Sequence, residues 1–181
     1  MDYIRGLIIF GCLLASATCY TPFNKCMKGD EFETSPLELR IDGCREVPCI
    51  LHKGTTMTAE WDFPVKTYSR VLRSQIVASS FGITMQLPSP KKNVCDSLHN
   101  TNCPVKIGQN VTYQMKMPIR RFYPEVSATV EIRFLNEFNQ TIVCFEVDGA
   151  IVAEQKGTTT KVPSSVITEK TTKLPDYNEI A

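Results

Sequence analysis

The sequence predicts an all-β sandwich, and three observations lead there. Apolar residues alternate with polar ones along most of the chain, turn-forming clusters interrupt the alternation at intervals, and 8 cysteines occur in 181 residues. Alternation with a period of two sets one row of side chains on a core and the other in water. Six or seven short strands separated by turn signals fit two stacked sheets.

The elements follow in chain order. Leu37, Leu39 and Ile41 give a first short alternation. Met57, Ala59, Trp61 and Phe63 then alternate with Thr58, Glu60 and Asp62. The segment with Val71, Leu72, Gln75, Ile76 and Ser79 also fits a helical period, and is assigned to a strand. Tyr113, Met115, Met117 and Ile119 alternate with Gln114, Lys116 and Pro118. Val126, Ala128, Val130, Ile132 and Phe134 alternate with Ser127, Thr129, Glu131 and Arg133. The last strand, near Ile142 to Val152, is apolar on both faces except at Glu146 and Asp148. Lys53-Gly54, Pro64, Pro88-Ser89-Pro90, Lys106-Ile107-Gly108, Pro124 and Asn136 to Asn139 supply the turns. The inward rows are expected to include Phe81, Leu87, Tyr123 and Phe145 besides those above. Every sandwich has such a row, so by itself it signals an ordinary core.

Both ends differ from this middle. Arg5 precedes a short apolar run, Leu7 to Ala15, and then small residues, the pattern of a secretory signal peptide. The run falls well short of the roughly 20 residues that span a bilayer. Cleavage after Cys19 leaves an even set, Cys26, Cys44, Cys49, Cys95, Cys103 and Cys144, as a disulfide framework requires. Cleavage after Ala17 would strand a thiol. Beyond Val152 the chain is rich in Thr, Ser, Lys and Pro and too poor in large apolar residues to offset its own entropy. The expected plan is a signal peptide at 1–19, one domain at 20–152 and a flexible tail at 153–181.

Little here suggests catalysis. His52 and His99 fall in expected loops, no Gly-x-Ser-x-Gly or phosphate-binding loop occurs, and no pair of carboxylates stands out. No catalytic residue and no cofactor is expected, and the chain is not read as an enzyme. The lack of Cys-x-x-Cys and the oxidising route argue for disulfides over a metal site. Six cysteines can pair in many ways, and spacing alone does not choose among them. A net charge of +1 leaves no footprint for nucleic acid. Two glycosylation sequons, at Asn110 and Asn139, lie at expected turns.

A specific resemblance enters with a set of ordered motifs. Gly43-Cys44, Cys49, Lys53-Gly54, Asn102-Cys103-Pro104, Met117-Pro118-Ile119, Phe122-Tyr123-Pro124 and Asn139-Gln140-Thr141-Ile142-Val143-Cys144 come in the order and spacing of the ML lipid-recognition domain family. The chain resembles that family from about Cys26 to Val152. The resemblance implies an immunoglobulin-like β-sandwich of two antiparallel sheets, splayed around an apolar cavity. It implies the disulfides Cys26–Cys144, Cys44–Cys49 and Cys95–Cys103. It places a gate at Leu87, Ile119 and Tyr123, and a deeper lining at Trp61, Phe63, Val130, Ile132 and Phe145. Three positions depart from the family: Leu87 replaces an aromatic gate, and Ile132 and Phe145 stand where tryptophans are expected.

On that resemblance the inward row becomes a pocket wall, and the expected function is that of a secreted carrier of a sterol or similar lipid. The expected destination is extracellular, with an endolysosomal lumen as the other option. Expected partners are the lipid and, in passing, anionic membranes or a lipid-handling receptor; the carrier is expected to act as a monomer. Lys91-Lys92 and Arg120-Arg121 flank gate positions and are expected near the mouth. Two alternatives stay open: an extracellular module recognising microbial lipids or other apolar signals, and an adhesion or signalling domain with a solid core.

Overall fold

The computed structural model describes residues 20–27 and 31–155. The expected signal peptide at 1–19 and the tail from 156 onward lie outside the described residues. Among the described residues nine strands run in order: β1 (Asn24–Lys25), β2 (Glu38–Ile41), β3 (Cys49–His52), β4 (Thr56–Pro64), β5 (Arg73–Ser80), β6 (Ile83–Leu87), β7 (Asn110–Pro118), β8 (Ser127–Leu135) and β9 (Thr141–Val152). A short 3-10 turn, Val94–Ser97, precedes β7. The strands form two sheets, as expected. One has the order β1-β9-β8-β5-β6, with β3 also on β9; the other has the order β2-β4-β7.

Alternation produces the inner faces. Ala59, Trp61 and Phe63 of β4 and Val111, Tyr113, Met115 and Met117 of β7 are buried, while the residues between them are not. The two strands pair with Met57 opposite Met117 and Trp61 opposite Tyr113, so both apolar rows share one face. Ile132 and Phe134 of β8 and Phe145 and Val147 of β9 supply the facing wall. On the outer face Arg40 spans Glu60 and Asp62, both at 2.7–2.8 Å, and keeps that side wet.

The segment that also fitted a helical period is β5. It pairs antiparallel with β8, Ile76 facing Ile132, and with β6, Ile76 facing Leu87. Tertiary pairing decides what local periodicity left ambiguous.

β9 is apolar on both faces because its edge is covered piecewise. β1 pairs with Glu146 and Phe145, and Thr34 bonds on either side of Val143, donating to Ile142 O at 2.9 Å and accepting from Cys144 N at 3.0 Å. β3 then runs parallel to Cys49's partner Gly149 and on to Val152. This parallel pair departs from the purely antiparallel expectation. The disulfide Cys26–Cys144 fastens the same edge, with Cα atoms 5.7 Å apart. Cys44–Cys49 fixes the entry to β3, and Cys95–Cys103 clips the long connection before β7.

Phe81 differs from expectation. Alternation puts it on the inner face, yet it is 93% exposed. Phe81 and Gly82 form the two-residue turn between β5 and β6, with φ of 48° and 77°. Two positive φ values at such a turn match the twist of a hairpin, and they swing the ring clear of the sandwich.

Candidate functional site

The two sheets are packed tightly at one end and parted at the other. At the closed end Phe63, Trp61, Tyr113 and Phe134 stack into an aromatic plug, with Phe134 centroids 5.6 Å from Phe63 and 4.9 Å from Tyr113. Burial raises the Tyr113 phenol to about 12. Toward the other end the inner faces separate around a cavity of about 190 Å³.

Every strand except β1 contributes to its wall. Leu39, Ile41, Met57, Ala59, Trp61, Met115 and Met117 come from the three-stranded sheet. Ile76, Ala78, Met85, Leu87, Ala128, Val130, Ile132, Phe145, Val147 and Ile151 come from the other, with Cys49 and Leu51 from β3. Tyr123, Pro124 and Val126, from the connection between β7 and β8, complete the rim. Asp148 borders the cavity too, but its carboxylate accepts from Thr129 Oγ1 at 2.7 Å on the outer face. The wall is therefore apolar nearly throughout. It can exclude water and hold carbon, and it holds no arrangement of acid, base or nucleophile.

Trp61 marks the floor. It is the last β4 residue to reach the cavity; Phe63, two residues on, is fully buried but lies in the plug. Trp61 packs against Tyr113, Phe145 and Phe134 with centroids at 4.8, 5.1 and 5.5 Å. Its Nε1 is buried and has no hydrogen-bond partner.

The mouth lies at the opposite end, where the lining residues become partly exposed. Met85 is 57% exposed there, and the unlined neighbours Phe81 and Ile83 extend the apolar surface outward. Phe122, 82% exposed, stands beside Tyr123 with ring centroids 5.1 Å apart. Gly54 N donates to Ile119 O at 2.7 Å, and Ile119 N donates to Thr55 O at 2.8 Å, which pins this connection to the β3–β4 turn. Lys53 Nζ meets Glu125 at 3.1 Å, and Arg121 meets Glu154 at 2.7 Å. The expected tail thus begins with residues that touch the rim.

The structure gathers six of the eight expected lining residues: Leu87, Tyr123, Trp61, Val130, Ile132 and Phe145. It places the other two elsewhere. Ile119 is buried against the β3–β4 turn, and Phe63 is sealed behind Trp61. Lys91-Lys92 is not at the mouth either. The Lys92 carbonyl accepts from Ser74 N at 3.1 Å, at the start of β5 near the closed end. Arg120-Arg121 ends two residues before the rim residue Tyr123, with Arg121 paired to Glu154. His99 lies on the outer face near Glu60, 3.9 Å away, and His52 Nδ1 contacts the Ala153 carbonyl at 3.1 Å; neither borders the cavity. Asn110 and Asn139 are both exposed, and Asn139 Oδ1 accepts from Arg73 at 2.8 Å. Sequence reasoning missed the share of Ala78, Met85 and the β3 residues in the wall. Only the pairing of β6 and β3 onto the larger sheet brings them there.

Comparison with known proteins points one way. Residues 20–151 match the family model described as the ML domain. The chain is similar to the NPC intracellular cholesterol transporter 2 of Canis lupus familiaris, 27% identical over 110 residues, covering 61% of this chain and 72% of that protein. It is equally similar to the NPC intracellular cholesterol transporter 2 homolog a of Drosophila melanogaster, 27% identical over 114 residues, with 61% and 76% covered. A solved Niemann-Pick type C2 protein from Japanese carpenter ant superposes with a TM-score of 0.65 at 19% identity, over 72% of this chain and 99% of that one, so the fold is shared.

Proposed function

The chain belongs to the ML domain family, and from that premise we propose that it is a secreted, non-enzymatic carrier that binds a sterol or similar lipid between its sheets and delivers it to membranes. The observation that carries this reading is the cavity itself, closed by an aromatic floor and walled by aliphatic, methionine and aromatic side chains. The names of the dog and fruit-fly relatives, both cholesterol transporters, support a sterol as the cargo.

The energetics are those of water leaving both surfaces. Some twenty ligand carbons buried at about 0.8 kcal/mol each give a gross gain on the order of 16 kcal/mol. Association costs about 4–15 kcal/mol, so the surplus of about 1–12 kcal/mol spans weak to tight binding. Burial is non-directional, and a wall this apolar selects by shape and length more than by chemistry. Met57, Met85, Met115 and Met117 suit it to adapt to the cargo.

Delivery would use the rim. Phe81, Ile83 and Met85, at the β5–β6 turn, and Phe122, against the rim residue Tyr123, are exposed apolar side chains, and Arg120 and Arg121 precede Phe122 in the chain. Such side chains, with positive charge close by in the chain, suit contact with an anionic bilayer, across which a lipid could slide from cavity to membrane.

Trp61 is the single tryptophan of the chain, so its emission reports on the floor. Titration with dehydroergosterol is expected to quench that emission by energy transfer at one ligand per chain. Ala59→Phe, which fills part of the cavity, is expected to weaken binding about tenfold or more while leaving the fold intact. Absence of quenching in the wild-type protein would refute the carrier reading.

A further inference from the structure

The cavity wall offers few polar atoms to a ligand. Tyr123 stands at the rim, the Asp148 carboxylate is taken by Thr129, and Trp61 presents an indole at the floor. Trp61 is 0% exposed and its Nε1 has no partner. Buried tryptophans normally satisfy this N–H, and leaving it unmet is costly. The ring contacts to Tyr113, Phe145 and Phe134 do not explain the residue, since a phenylalanine would supply a ring there without stranding a donor.

We infer that Trp61 Nε1 donates a hydrogen bond to an oxygen at the buried end of the ligand, so that the preferred cargo is an elongated apolar molecule oxygenated at the end that enters first. The inference rests on the carrier reading and narrows it. Trp61 lines a cavity of about 190 Å³ and its Nε1 is buried without a partner, and a ligand that fills the space must part the walls. Met57, Met115 and Met117, unbranched and flexible, line the same sheet and let it do so. Once the floor is reached, the donor gains its missing partner. A hydroxyl that would normally resist burial there becomes tolerated or favoured.

The test compares cholesterol sulfate with its 25-hydroxy derivative. An ionised sulfate is too costly to bury and stays at the mouth, so the side chain enters first in both. The wild-type protein is expected to bind the hydroxylated ligand at least as tightly as the parent. Trp61→Phe reshapes the floor for both ligands, and it is expected to weaken the hydroxylated ligand roughly tenfold more than the parent, the size of one lost hydrogen bond. The wild-type protein carries a second readout that needs no variant. As the single tryptophan, Trp61 gives one indole N–H cross-peak in a nitrogen-15 spectrum, and it is expected to move downfield with the hydroxylated ligand alone. A clear preference for the parent, or an indole signal that responds alike to both, overturns the inference while lipid carriage stands. Binding of neither sulfate overturns both.

Discussion

Single residues carry the strain of the rim and the delivery role proposed for it. Phe81 has a φ of 48°, a left-handed conformation that a bulky residue adopts only at a cost, and its ring is 93% exposed. Asparagine tolerates that conformation and is favoured before glycine in this turn. Phe81→Asn is therefore expected to raise stability by about 1 kcal/mol in denaturant unfolding. The same variant is expected to slow sterol transfer to anionic vesicles several-fold, because it removes the apolar tip. Higher stability with unchanged transfer would detach Phe81 from delivery. At the closed end, Tyr113 titrates near 12 instead of near 10. Its folded value is raised, so the stability tied to it is complete below pH 10. It is lost as pH climbs from 10 to 12, where the unfolded phenol ionises first. The loss amounts to about 2–3 kcal/mol by pH 12. Thermal unfolding between pH 9 and 12 is expected to fall more steeply for the wild-type protein than for Tyr113→Phe.

Elements show which parts of the fold local sequence encodes. β4, β7 and β8 each run nine residues with strict alternation, so their existence and inner faces could be read directly. β1 and β3, of two and four residues, have no pattern of their own; pairing with β9 creates them. β5 was ambiguous for the same reason, its state being set by β8 and β6. Disulfides act at this scale by shortening the loops of the unfolded chain. Cys26–Cys144 spans 118 residues and Cys95–Cys103 spans 8. Replacing Cys26 and Cys144 by alanine is expected to cost about 5 kcal/mol, against roughly 2–3 kcal/mol for the Cys95 and Cys103 pair. Guanidinium unfolding of the two double variants checks the order; equal losses would contradict it.

At the scale of the whole molecule the cavity is a matter of depth, which alternation does not report. Period two says that Trp61 and Phe63 face inward, but not that one floors the space and the other lies behind it. It says that Ile119 continues the β7 row, but not that the β3–β4 turn captures it. An inward row becomes a solid core or a container according to how far the sheets part, and that distance emerges only from both sheets together. The resemblance of ordered motifs pointed to eight residues, and six of them border the cavity, a minority of its wall. The most direct measurement is native mass spectrometry of protein secreted from eukaryotic cells, followed by organic extraction and identification of what it carries. A lipid is expected at one per chain, lost from the Ala59→Phe variant. Protein that emerges empty and takes up no sterol from donor vesicles would contradict the account, and the space between the sheets would then be only a loosely packed core.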